Sequence, residues 1–346
     1  MTNNQVKVEK KTFLQAWTQL KEDWNDPVKK KVRRKNILII VGKILRTFIL
    51  IGLSFVIIAP ILQKLSIAFR DPNDISNPQV AWIPETLKVV NFEIAWELLD
   101  YSTSFFNTLI LSVVSMVIQI MATAVAGYAF ARLKFKGSNI LFFLVIFTLI
   151  VPNETLHVSR QLFLTNYSFF GIKLIGSAFS IYILAAFGQG IRSGIFIFIF
   201  RQFFKNLPIE LEESAQIDGA GVIRTFWSVM LPNARGAVVT VGLFSFVWQW
   251  NDLYFAGLLN DSLGFPLLAS KLGDGTNRLD TVMGTWIAQG RDVLQSIGDS
   301  EIKTDPLFRS LIANTAALLM MLPLLVGYFF VQKLFVESIE RTGIVG

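Results

Sequence analysis

An all-α polytopic membrane protein with six transmembrane helices is the fold class this sequence predicts, and three observations carry it. The 346 residues are 53% hydrophobic and only 16% charged, with mean hydropathy +0.52, whereas soluble domains carry about 25% charged residues. Apolar runs long enough to cross a bilayer recur along the chain, roughly 20 residues being needed for about 30 Å of hydrocarbon. Basic residues gather in some of the connecting stretches and acidic residues in the others, which is the asymmetry that sets orientation.

The first 36 residues hold ten Lys/Arg beside the first apolar run. The net charge of +7 is therefore read as a topology signal and not as a nucleic-acid footprint. This polar stretch is far longer than the leader of a signal peptide, so it is expected to stay attached. Phe13, Trp17, Leu20 and Trp24 recur at spacings of four, three and four, on one helical face above the basic cluster 29–35. Two readings stand: an interfacial helix on the cytoplasmic leaflet, or a disordered tail whose charges fix orientation. The expected organisation is a tail over 1–46, a six-helix membrane domain over 47–335 and a second tail over 336–346.

The expected crossings are 47–69, 105–130, 139–151 with help from beyond Pro152, 173–200, 236–259 and 311–335. The third decides the count. Arg132, Lys134 and Lys136 make one loop basic, and Arg201, Lys205, Arg224 and Arg235 make a later one basic, so both face the cytoplasm and an even number of crossings separates them. A kinked helix at Pro152, its break covered by neighbours, satisfies that parity. Residues 70–104 hold two Lys/Arg against six Asp/Glu, and 260–309 hold five against seven, so both read as external. Both termini are then cytoplasmic. The long external loop 260–309 exceeds an ordinary connection, and its stretch 281–297 is expected to form a helix with Val282, Trp286, Ile287 and Val293 on one side.

Between the fourth and fifth runs lies a polar segment, 207–232, with an internal grammar. A first helical piece carries Glu210, Glu212 and Glu213, a turn follows at Asp218-Gly219-Ala220, and a second amphipathic piece is expected to stop at Pro232. Glu213-Ser214-Ala215, two residues, Asp218-Gly219-Ala220 and then Leu231-Pro232 resemble the Glu-Ala-Ala loop of type I ABC importer permeases. In that family this cytoplasmic elbow plugs into a separate ATPase. Small residues let a short helix lie close in a partner's groove, the glycine turns the backbone, and the acidic groups meet basic residues. Ser214 departs from the usual alanine but stays small.

The resemblance runs from about Ser66 onward. Gly127-Tyr128-Ala129-Phe130-Ala131-Arg132 with Phe135-Lys136-Gly137, Arg201-Gln202-Phe203-Phe204, and Trp250-Asn251-Asp252 are similar to the carbohydrate branch, specifically the shorter permease of a maltose-type heterodimer. Phe335-Val336-Glu337 fits that branch, while Ser338 and Val345 replace an expected glycine and lysine. The resemblance implies a second permease subunit, two ATPase subunits, an extracytoplasmic solute-binding protein, and a multi-pass location in the bacterial cytoplasmic membrane. It implies that ATP and Mg are bound by the partner ATPase, this chain holding no cofactor. Glu213, Ser214, Ala215, Asp218, Gly219 and Ala220 would form the ATPase-coupling surface.

For the solute, Trp248, Trp250, Asn251 and Asp252 lie about 18–24 Å along the fifth run from its cytoplasmic start. An amide hydrogen-bonds a sugar and an indole stacks on it, so these residues are candidates for the translocation path. An outer interfacial belt is the competing reading. Arg192, nine residues before Arg201, falls inside the fourth run, about 13 Å deeper. It is read as binding an anionic solute or as pairing with a buried acid, Asp252 or Glu154. His157, Asn153 and Glu154 read as a polar external cluster, the run 195–200 as packing or lipid surface, and Met320 and Met321 as core filler.

Several functions are disfavoured. The chain has no Cys and one His, leaving no thiolate metal site and little imidazole chemistry. No Gly-x-x-x-x-Gly-Lys-Ser/Thr loop occurs in the sequence. A secondary, ion-coupled transporter would call for paired broken helices in an inverted repeat, of which the sequence gives no convincing sign. An intramembrane enzyme would call for a nucleophile–base pair or a metal-ligand motif, and none stands out.

Overall fold

The computed structural model describes residues 27–72, 82–169, 171–259, 265–290 and 305–343. The proposed interfacial helix at 13–24, Val293 and Val345 lie outside the described residues. The chain divides into two units, Met1–Gln63 and Lys64–Gly346. Helix α1, Pro27–Ala68, supplies the described part of the first. It starts twenty residues before the expected crossing, because Pro27 suits the first helical turn and the lysines and arginines that follow are good helix formers. Its apolar side chains are exposed on every side, from Ile37 to Ile58, as expected of a helix whose solvent is lipid.

The second unit is built around α3, Tyr101–Arg132, a continuous helix of 32 residues. Helix α2, Val90–Leu99, precedes it, and buried Asn91 there donates to the carbonyls of Ala68 (3.0 Å) and Arg70 (2.7 Å), satisfying the end of α1. One face of α3 carries Ser104, Thr108, Ser112, Ser115, Gln119 and Thr123, all buried. Their spacing of four, four, three, four and four makes a stripe of small and polar side chains, along which other helices approach closely.

Helix α4, Ser138–Phe147, follows, and after Pro152 comes a 3-10 turn, Asn153–Leu156, and α5, His157–Asn166. The helix kinked at Pro152 that is expected for the third crossing is not what forms: α4 stops at Phe147, turns occupy 148–151, and the chain resumes helical structure only after the proline. The fourth is different from expectation. A two-residue hairpin pairs Ser168–Phe169 with Ile172–Lys173, and the helix beyond it is broken into α6, Ala178–Ala186, and α7, Ser193–Asn206. Arg192 therefore sits in the break and not on a helix wall. The elbow gives α8, Glu210–Ile217, and α9, Val222–Asn233. Helix α9 runs one residue past Pro232 through a π turn at Phe226–Met230. A proline cannot donate to the preceding turn and crowds its carbonyl, and a wider turn just before it relieves that crowding.

Helix α10, Arg235–Trp250, leaves α9 at 79°. The fifth expected crossing ends there, at Trp250, and resumes as α11, Tyr254–Leu259. Helices α12, Leu268–Gly273, and α13, Gly275–Ala288, lie in the long loop. The buried side of α13 is Leu279, Val282, Met283 and Trp286, whereas Ile287 is half exposed, a correction to the predicted face. Helix α14, Pro306–Gly343, passes through the expected tail boundary at 336 without a stop.

Among the described residues three helices are long and apolar enough to cross a membrane alone, Lys30–Ala68, Tyr101–Arg132 and Pro306–Leu334, and the bent pair α9–α10 passes the same test together. Over the other runs expected to cross, the described helices are shorter. Three apolar clusters hold the second unit: Ile94, Leu98, Trp250, Phe308 and Leu311 in one, Leu111, Leu164, Ile181 and Phe255 in the next, and Tyr128, Phe196, Phe200, Phe204, Phe226 and Met230 beneath the elbow. Met320 belongs to the first, as predicted, and Met321 is half-buried.

Candidate functional site: the elbow and the interrupted helices

Helix α8 ends in a Schellman turn. The amide of Gly219 donates to the Gln216 carbonyl (3.0 Å) and that of Ala220 to Ala215 (2.9 Å), with Gly219 at φ +78°. Only glycine takes that conformation without a Cβ penalty, which is why Asp-Gly-Ala stands where it does. The turn faces Glu213, Ser214, Asp218 and Gly219 outward, half-buries Ala220 and buries Ala215 against the bundle. The three acids of the first turn, Glu210, Glu212 and Glu213, favour the positive end of a helix.

Two features of the elbow escaped the sequence reading. Ile217 is 86% exposed and Ile223 76%, with Val222, Ile209 and Trp227 about half exposed beside them in sequence. Exposed apolar groups next to acidic ones make a surface of the composition that protein interfaces use. The second feature is Glu212, which is buried and pairs with Arg132 at 3.8 Å. Arg132 is read from the sequence as a topology marker and as the end of the family-like segment 127–132, and neither reading gives it a partner in the elbow.

The second region is a cavity of about 860 Å3 lined by α3, α4, the turn at Glu154, Arg160 of α5 and the break 186–192. Gly188 and Arg192 both take left-handed conformations there, φ +69° and +51°. The Arg192 guanidinium lies 4.8 Å over the Trp248 ring, and the same indole makes near-parallel ring contacts with Phe196 and Phe244. No ion pair joins Arg192 to Asp252 or Glu154 among the described residues. Glu154 lines the same cavity without bridging to it. Arg160 lies over the rings of Tyr254 and Phe255, and His157, the first residue of α5 and not a loop residue as expected, packs edge-on against Tyr254. In the run 195–200, Phe196, Ile197 and Phe200 are buried, so it is chiefly packing surface.

The other path candidates are occupied locally. Trp250 is 1% exposed and its indole donates to the Met320 carbonyl at 3.2 Å. Asn251 is exposed and its amide donates to the Val247 carbonyl at 2.9 Å. Asp252 accepts from the amides of Phe255 (2.6 Å) and Ala256 (3.3 Å), capping α11. The structure thus brings Arg192 and Trp248 together and leaves Trp250, Asn251 and Asp252 holding the second interruption.

Fold and site define a class: a helical integral membrane protein with a polar elbow that projects a mixed acidic and apolar surface. The chain belongs to the family of binding-protein-dependent transport system inner membrane components, whose model matches residues 120–341. It is 28% identical to the maltodextrin transport system permease protein MalD of Streptococcus pneumoniae, over 85% of this chain and 92% of that one. It is 26% identical to the probable starch degradation products transport system permease protein AmyC of Thermoanaerobacterium thermosulfurigenes, over 65% and 78%. A bacterial ABC transporter involved in the import of the acidic polysaccharide alginate has a chain of the same fold, with TM-score 0.63 and 20% identity over 85% of this chain and 96% of that one.

Proposed function

We propose that this chain is a permease subunit of an ATP-driven, binding-protein-dependent importer for an oligosaccharide or other carbohydrate. It crosses the bacterial cytoplasmic membrane six times with both termini inside, pairs with a second, different permease, and engages two ATPase subunits that bind ATP and Mg. An extracytoplasmic solute-binding protein delivers the solute, and this chain is itself non-catalytic. The charge asymmetry of the loops supports the topology, the broken helices being completed into crossings by their neighbours. Family membership and relatives named for maltodextrin and starch-product transport support the solute class.

The observation that carries the reading is the elbow: a capped acidic helix, Glu210–Ile217, closed by Gly219 and exposing Ile217 and Ile223. In this reading Glu213, Ser214, Asp218, Gly219 and the two isoleucines form the ATPase-coupling surface, with Ala215 and Ala220 setting how the turn seats on the bundle. Closure of the ATPases swings the elbows and opens the path, an exchange between two states. Arg192 and Trp248 line that path, with Asn251 and Asp252 at its end.

Co-purification with the ATPase tests this directly. Gly219→Pro breaks the left-handed turn and removes its amide, and Glu213→Lys reverses the surface charge. Each is expected to lower ATPase capture at least about tenfold, as loss of a central interface group does, while the chain still inserts. Undiminished capture and coupled transport in both variants would sink the reading.

A further inference from the structure

Outer-face contacts account for docking, whereas the elbow's inner face combines apolar packing of Ala215, Phe226 and Met230 with an ion pair to the bundle. Arg132, the last residue of α3, has Nε 3.8 Å from the buried carboxylate of Glu212 on α8. The same guanidinium donates to the carbonyls of Phe204 (3.1 Å) and Leu207 at the C-terminal end of α7. Those carbonyls are the negative, unsatisfied end of a helix, so a single cation closes α3, α7 and α8 together. A planar fork of donors does this; a lysine, a point charge on a flexible stem, cannot span all three partners.

Stability alone is a poor reason for this arrangement. Glu212 Oε1 is buried with no hydrogen-bond partner among the described residues, and a half-satisfied buried ion pair is commonly no better than apolar packing of the same shape. What the pair does supply is a fixed geometry between elbow and bundle. Behind it, α3 and α7 are locked: a Cβ added at Gly127 would meet the Phe200 Cβ at 2.5 Å and the Arg201 amide nitrogen at 3.0 Å. At the far end of α7, buried Gln119 of α3 donates to the Ile191 carbonyl (2.6 Å) and to Ser193 Oγ (3.0 Å), gripping the break that carries Arg192.

We infer that Arg132 is a positioning residue that makes α3, α7 and the elbow helix α8 one rigid lever, so that displacement of the elbow is carried over about 20 Å of α7 to the Arg192 break. The inference rests on the elbow being the ATPase contact. Without the pair, the short connection Leu207–Ile209 absorbs the movement and the break stays where it is.

The chain has no native cysteine, so spin labels go only where they are placed. Phe198→Cys on α7 and Glu210→Cys on α8 are both exposed sites. In the full complex with its ATPase subunits, their separation is expected to change by less than about 2 Å on adding ATP and Mg, the scale of packed-helix shifts. Glu212→Gln, which keeps shape and removes charge, and Arg132→Lys, which keeps charge and removes the fork, are expected to exceed that change or show a second distance population. A wild-type change above that limit, or variants that track wild type, would overturn the inference. So would loss of assembly in Glu212→Gln, since the cluster would then serve folding. A wild-type chain that captures no ATPase would instead overturn the transport reading, and this lever with it.

Discussion

Two helices of the second unit are interrupted, and the interruptions solve the same problem in opposite ways. At 251–253, between α10 and α11, the break is closed by its own residues: Asp252 caps the helix that follows, Asn251 bonds back one turn, and Trp250 pins the end to α14. At 187–192, between α6 and α7, the amides of Phe187, Gly188 and Gln189 bond back to α6, but the Ile191 carbonyl is satisfied from another helix by Gln119, and the one charged side chain, Arg192, is turned onto an aromatic ring at a cavity. The left-handed conformation of a non-glycine residue costs about 1–2 kcal/mol. A break that spends its polar groups on itself is architecture, whereas a strained break that leaves a cation over a cavity is the better candidate for a solute site.

The largest expected effect comes from cutting the second arrangement. Arg192→Gly relieves the left-handed strain, so the complex is expected to melt higher by an amount equivalent to about 1 kcal/mol, yet solute uptake falls by roughly 100-fold, the loss of about 3 kcal/mol of binding or path stabilisation. Uptake assays beside thermal melting read both. A destabilised complex with normal uptake would erase the contrast between the two breaks. Trp250→Phe comes next: it removes the donor to Met320 and part of a buried side chain, and is expected to cost about 2 kcal/mol of stability with uptake retained in whatever complex folds. The smallest effect is at Asp252. Alanine loses the cap, at about 1 kcal/mol, and asparagine keeps it at a few tenths. Uptake abolished in Asp252→Asn, with assembly intact, would move Asp252 from architecture onto the path.

How far these sites were legible depended on whether local chemistry or packing decided them. The Asp218-Gly219-Ala220 turn was readable because a left-handed helix end selects glycine whatever surrounds it. An interruption near Pro152 was readable for a similar reason, the missing amide being a property of the residue itself, although the helix stops earlier, at Phe147. The break at Arg192 was not. The run 173–200 does carry a local signal, Gly188-Gln189-Gly190 and Gly194 beside Arg192, but its length and its apolar ends read as one crossing; the Ile191 carbonyl finds its partner in Gln119, far away in sequence. Trp250 illustrates the converse, since an indole beside Asn-Asp reads equally as a stacking platform or a buried strut until its neighbour α14 is in place.

By itself the sequence determined the solvent, the helical class and the elbow's turn, because hydropathy, backbone preference and helix capping act over a few residues. Only the tertiary structure decided which way Glu212 faces, where the fourth run breaks and which polar groups are left over, because each depends on a partner more than seventy residues distant satisfying or failing to satisfy a buried group.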